Sequence, residues 1–212
     1  MFRATVLITL TAATLAAQAP FEGAISMTVV GDNGKAQDLH YMLKGGKLRF
    51  DMTGNRGEQM AMIIDPAEKK MLMVMTSQKM YMEQEIAAAA AVEKGKPATI
   101  KRTGKTEMIA GYRCEHVIVT ENDNSSSDVC VATGLGAFRM PSGGGRGGPP
   151  KEPGWGVALA DGGFPLKVQK GETVTLEVKQ IEKKSLDAAL FAPPEGFQKL
   201  DMGMGGLMRK RP

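Results

Sequence analysis

Histidine and cysteine are nearly absent from this chain: 212 residues hold two of each, His40, His116, Cys114 and Cys130. Cys114 and His116 stand two apart and so share one face of a strand. Zinc sites generally take four ligands, and the chain has only two histidines, so no metal ligands are assigned. Aromatic residues are only 5% of the chain, and 27 basic residues are interspersed with 23 acidic ones. That pattern has no basic stripe and argues against nucleic-acid binding. There is no Gly-x-Ser-x-Gly elbow and no His-Glu-x-x-His. The acidic residues scatter over solvated strand faces. The expectation is a protein that is not an enzyme, with no catalytic residues and no cofactor. After residue 19 no apolar run approaches the roughly 20 residues of a membrane-spanning helix.

The chain opens Met1-Phe2-Arg3, followed by an uncharged apolar run from Ala4 to Ala17 and small residues at Ala16, Ala17 and Ala19. A basic start, a short apolar core and an A-x-A-like end make a secretory signal peptide over residues 1–19. Cleavage after Ala16 or Ala17 is the alternative, because Pro20 follows Ala19. Losing residues 1–19 removes Arg3 and leaves 26 basic against 23 acidic residues. Export to the periplasm or the exterior as a soluble protein is the expectation. Residues 20–201 are long enough for a single domain with its own core.

In an exported protein two cysteines are most simply a disulfide, Cys114 with Cys130. Free thiols and a metal site are the alternatives. The pair lies on a stretch, Gly104–Val131, that reads as a strand, a polar turn at Glu121–Ser127 and a returning strand.

Period-two patterning runs through most of the rest. Ile25, Met27 and Val29 alternate with Ser26 and Thr28. Leu48, Phe50 and Met52 alternate with Arg49, Asp51 and Thr53, after a turn at Gly45-Gly46. Gln59–Ile64 and Met71–Met75 follow, separated by Asp65-Pro66 and charged residues, and then Met80–Met82. Phe164, Leu166 and Val168, and then Val174, Leu176 and Val178, repeat the alternation on either side of Gly171. Antiparallel strands with one buried face give this pattern. Glu83–Lys94 breaks it: Glu-Gln-Glu-Ile, five alanines, Val, Glu and Lys read as a helix, stopped by Gly95 and Pro97. Short helical turns are expected at Gly134–Met140 and Leu186–Phe191. Residues 141–154, rich in glycine and proline, read as a loop; they lack the Gly-Lys-Ser/Thr ending of a phosphate loop. Residues 202–212 read as a flexible tail.

Methionine is the residue in excess, with 16 in the chain. Met60 and Met62, Met71, Met73 and Met75, and Met80 and Met82 fall at spacing two, so each group points to one side of its strand. Methionine fills irregular cores, and it also lines adaptable apolar cavities. Thioether ligation of Cu(I) is a third use, which the tail methionines Met202, Met204 and Met208 would assist.

Thr103-Gly104-Lys105-Thr106-Glu107, Ile109–Glu115, Phe164-Pro165-Leu166 and the ending Leu190–Phe197 resemble a family of exported bacterial proteins, domain of unknown function 4412. An aromatic residue, often tryptophan, is expected there near the position of Cys130; its replacement makes the cysteine pair this chain's own feature. More distantly, the ending and the strand count resemble periplasmic lipoprotein carriers. That resemblance implies an unclosed half-barrel: a curved antiparallel sheet with one or two short helices packed on or over it, Glu83–Lys94 among them. It also implies binding of acyl chains on the concave side. Neither resemblance supplies catalytic residues. The reading is therefore a mainly β, non-enzymatic protein that binds a lipid or other hydrophobic molecule in the cell envelope. Met27, Phe50, Met62, Met73, Phe164, Leu176 and Val178 are the expected lining residues. The alternatives are a ligand-free module contacting another envelope protein and, behind it, a Cu(I)-binding protein.

Overall fold

Alternating sequence becomes strand almost throughout the described residues. In the computed structural model, which describes residues 20–31, 34–53, 57–86, 99–121, 123–138, 154–159 and 162–200, twelve strands form one sheet. In chain order they are β1 (Gly23–Val30), β2 (Ala36–Lys44), β3 (Lys47–Thr53), β4 (Gln59–Asp65), β5 (Lys70–Met75), β6 (Met80–Glu85), β7 (Thr99–Ile109), β8 (Tyr112–Thr120), β9 (Ser126–Ala132), β10 (Phe164–Lys170), β11 (Thr173–Lys183) and β12 (Gln198–Lys199). Across the sheet the order is β12-β6-β5-β4-β3-β2-β1-β11-β10-β9-β8-β7. Two antiparallel meanders, β1–β6 and β7–β11, thus meet where β1 pairs with β11. The short β12 adds in parallel beside β6, and the sheet does not close.

Local chemistry fixes the hairpins. Gly45 and Gly46 turn β2 into β3 at φ of 56° and 81°, where a side chain would be strained. At the β4–β5 turn Asp65 Oδ1 accepts the amides of Ala67 and Glu68, both at 3.1 Å. Burial alone would raise the Asp65 pKa, but the Lys47 ammonium and these amides outweigh it and hold the carboxyl below its ordinary range.

The sheet is strongly curved. Tyr41 on β2 and Phe164 on β10 stand three inter-strand steps apart, about 14 Å in a flat sheet. Their rings nevertheless meet edge to face with centroids 5.4 Å apart. Phe50 and Phe138 complete this contact at 4.7 Å and 5.7 Å from Tyr41, and Tyr41 Oη donates to Ala137 O at 3.1 Å. The core fills the concave side: Ile25, Met27, Phe50, Leu176, Val178, Val168, Val129 and Val119 are essentially inaccessible there.

A second, smaller core lies on the opposite face of β4–β6. Ala61, Ile63 and Val74 are buried there under Leu186 and Phe191 of the chain that follows β11. The expected helical turn exists as a 3₁₀ turn, Ala188–Phe191, capped by Asp187, whose side chain accepts the Ala189 amide at 2.9 Å.

Several expectations need correction. Glu83, Gln84 and Glu85 are not the start of a helix but the end of β6, where they pair with Leu72, Met71 and Lys70. Cross-strand pairing outweighs helix propensity there, and residues 87–98 lie outside the described residues. Gly104–Ile109 is not part of the cysteine hairpin but the end of the preceding strand, joined to β8 through Ala110-Gly111. Gly134 and Leu135 lie in a bend and Gly136–Phe138 in irregular chain rather than in a helical turn, with Leu135 inserted into the core. The signal segment 1–19, the glycine-rich stretch 141–153 and the tail 202–212 lie outside the described residues.

Candidate functional site

The register of β3–β6 puts methionine on one face in two rows. Met52, Met60, Met75 and Met80 are successive cross-strand partners, and so are Phe50, Met62, Met73 and Met82. Met71, opposite Ile64, begins a third. Directly opposed residues share a face, so eight methionines from four strands lie together. The face continues from Phe50, and Met52, Met62 and Ile64 pack against the main core. Phe50 is wholly buried, yet all eight methionines stay half-buried.

The other face of the same strands is covered by the segment from Leu186 to Phe197. Two faces of one set of strands are therefore treated differently. The structure gives the methionine face no comparable cover from the described residues.

The expected lining residues divide accordingly. Met27, Phe50, Phe164, Leu176 and Val178 are at most 2% exposed and belong to the filled core. Met62 and Met73 lie on the methionine face. Met52, Met60, Met71, Met75, Met80 and Met82 join them. Spacing two had marked most of these, but only the register shows that the separate groups share a side. Among the described residues a cleft of about 200 Å³ sits at one end of this face, between Met60 and Met75, edged by Glu58, Gln59, Ser77 and Gln78. An enclosed small-molecule site is commonly larger. The arrangement is an open apolar surface of soft, adaptable side chains.

On the opposite, convex face of the other half-sheet, Cys114 and Cys130 form a disulfide with Cα atoms 5.3 Å apart. It links β8 to β9. His116, buried beside it, has Nδ1 2.7 Å from Asp128 Oδ1 and Nε2 3.1 Å from Glu107 Oε2. Lys167 Nζ lies 3.6 Å from Glu107 Oε1. One polar chain thus crosses β10, β7, β8 and β9. Asp128 and Lys167 carried no mark in the sequence beyond alternation, and Glu107 none beyond the family resemblance; their partnership is a product of register. His40, by contrast, is exposed, with Nδ1 3.2 Å from Ser26 Oγ.

The sequence matches the family described as Domain of unknown function (DUF4412) over residues 21–197. The chain belongs to this DUF4412 family. No curated protein matches it. Among solved structures, this DUF4412 domain is similar to PNGF-II in two crystal forms. Both are 15% identical, with TM-scores of 0.45 and 0.44, covering 86% and 85% of this chain but 31% and 32% of that one. A weaker similarity, 12% identity and a TM-score of 0.32, joins it to MucB in complex with MucA(peri). The same values hold for the MucA/MucB complex of Pseudomonas aeruginosa, over 79% of this chain and 53% of that one. The chain spans about a third of the PNGF-II structures and about half of the MucB ones.

Proposed function

We propose that this protein is exported and binds an apolar molecule, of the acyl-lipid class, on the methionine face of β3–β6, without turning it over. The observation that carries this reading is the half-burial of eight methionines on a face continuous with a fully closed core. Apolar surface left in water is costly, about 25 cal/mol per Å², and a ligand laid on it recovers that term. Four strands give a width of roughly 14 Å, suited to an extended chain more than to a compact ligand. Thioether side chains adapt to varied apolar shapes. The disulfide fits an oxidising compartment, and no helix among the described residues is long and apolar enough to cross a membrane.

Native mass spectrometry of the exported protein, with organic extraction of whatever co-purifies, tests this directly. A released acyl lipid, together with loss of an apolar fluorescent probe from a Met62→Glu/Met73→Glu variant, is the expected result. A clean apo mass and a probe response unchanged in that variant would end the proposal.

A second reading is an interaction module. It draws on β7, which ends the sheet and whose residues are mostly exposed. An unpaired strand edge is a template for a partner's strand. Protein captured through that edge would survive the methionine changes and be lost with a proline at an outward-facing β7 amide. Silver(I) or Cu(I) uptake lost with the methionines would instead favour thioether ligation.

A further inference from the structure

The cluster around the disulfide holds more ligating chemistry than a structural staple needs. Glu107 is opposite Cys114, and His116 is opposite Cys130. A carboxylate oxygen of Glu107, a ring nitrogen of His116 and the Cys130 sulfur lie within 4.8 Å of one another, a grouping of three such donors that occurs once among the described residues. The Cys114 sulfur is bonded to that of Cys130.

We propose that reducing Cys114–Cys130 converts this cluster into a site for a divalent transition metal of the zinc class. Cys130, Cys114, His116 Nε2 and Glu107 are its four ligands. A dithiol reductant supplies two electrons and two protons: the S–S bond breaks, two thiols form, and the reductant becomes a disulfide. Metal binding then displaces the two thiol protons to solvent. While oxidised, the sulfurs are bonded to each other and are poor ligands, so the site exists in only one redox state.

Three features favour metal over a plain dithiol. Ligand–metal bonds of about 2.0–2.3 Å place tetrahedral donors roughly 3.3–3.8 Å apart, which small side-chain rotations reach from the present spacing. Asp128 Oδ1, 2.7 Å from His116 Nδ1, is placed to hold the ring proton on Nδ1 and turn the Nε2 lone pair inward. A carboxylate behind the ligating imidazole is the usual outer partner of zinc. Two thiolates and a carboxylate around a dication leave one negative charge, which Lys167 beside Glu107 offsets. Both cysteines are 1% exposed, but the Glu107 side chain is 35% exposed and opens the site to solvent.

Co(II) titration of the full chain, oxidised and phosphine-reduced, is the test, with circular dichroism followed in parallel. The reduced chain is expected to bind one equivalent with thiolate-to-cobalt charge-transfer absorption. The oxidised chain and a reduced His116→Gln variant should lack it, and Asp128→Asn should weaken binding about 10- to 100-fold. If reduction unfolds the chain, Co(II) should restore the strand signal, since a ligated site adds its binding energy to folding. Absence of the thiolate band, equal binding by the oxidised chain, or indifference to His116→Gln would each overturn the proposal, as would an unfolded reduced chain that Co(II) does not rescue.

Discussion

Glu22 Oε1 accepts the backbone N–H of Leu186 at 2.7 Å, across 164 positions of chain. The same oxygen receives Lys44 Nζ at 2.7 Å and Ser185 Oγ at 3.2 Å. One carboxylate just before β1 thus fixes the point where the chain leaves β11 to cross behind β3–β6. Leu186 and Phe191, which bury the second core, lie just beyond this anchor.

The anchor should be acid-sensitive. The Lys44 hydrogen bond first, and the Leu186 amide second, lower the Glu22 pKa from its ordinary 4.5. A depressed folded value adds stability above the unfolded value of 4.5, and that stability is lost as pH falls through the lower folded value. Glu22→Gln should therefore lower the urea midpoint near neutrality and converge on the parent as pH falls through the lowered folded value. Hydrogen exchange should rise at Leu190–Phe197. Equal midpoints at neutral pH would show that the anchor contributes nothing.

The core and the methionine face should respond differently to truncation, although Phe50 and Met73 lie in the same cross-strand row. Phe50 is fully buried against Tyr41, so Phe50→Ala should cost about 3–5 kcal/mol. Met73 is half-buried, and full burial of such a side chain is worth about 1.5–3 kcal/mol; Met73→Ala should therefore cost about 1 kcal/mol. Urea unfolding of both variants measures this. A Met73→Ala cost equal to that of Phe50→Ala would mean the methionine face is sealed in solution.

Strand existence was legible because alternation is a local signal. Phe164, Leu166 and Val168 read as buried, and they are, although a bulge between Pro165 and Lys167 breaks their alternation. The Gly45-Gly46 and Asp65-Pro66 turns followed from backbone chemistry in the same way. What could not be read was non-local. Met62, Met73 and Met82 align only because of the β4–β5 and β5–β6 registers, and a one-residue slip would send each group to the other face. Glu107 and Asp128 meet His116 for the same reason. Glu83–Glu85 misled because helix propensity is intrinsic to the residues, whereas the partners Leu72, Met71 and Lys70 that draw them into β6 lie outside that window. The division of apolar residues between filled core and open face depends on curvature, which brings Tyr41 to Phe164 and leaves β4–β6 beyond the contact.

The cystine should matter to stability and not to apolar binding. Cys114 and Cys130 point away from the face that carries Val117 and Val129, by alternation along β8 and β9. Val129 pairs with Val168 and Val168 with Leu176, on the side shared with Phe50 and the methionines. By alternation the sulfurs therefore sit on the convex side and at the other end of the sheet, although both cysteines are buried and count in the main core cluster. With a sequence separation of 16 between the cysteines, losing the crosslink from the unfolded chain should cost about 3 kcal/mol. A Cys114→Ala/Cys130→Ala variant is thus expected to unfold at lower urea while binding an apolar fluorescent probe as the parent does. If its probe affinity falls while its strand signal is intact, the convex side is coupled to the methionine face. The two half-sheets could then not be treated as separate in function.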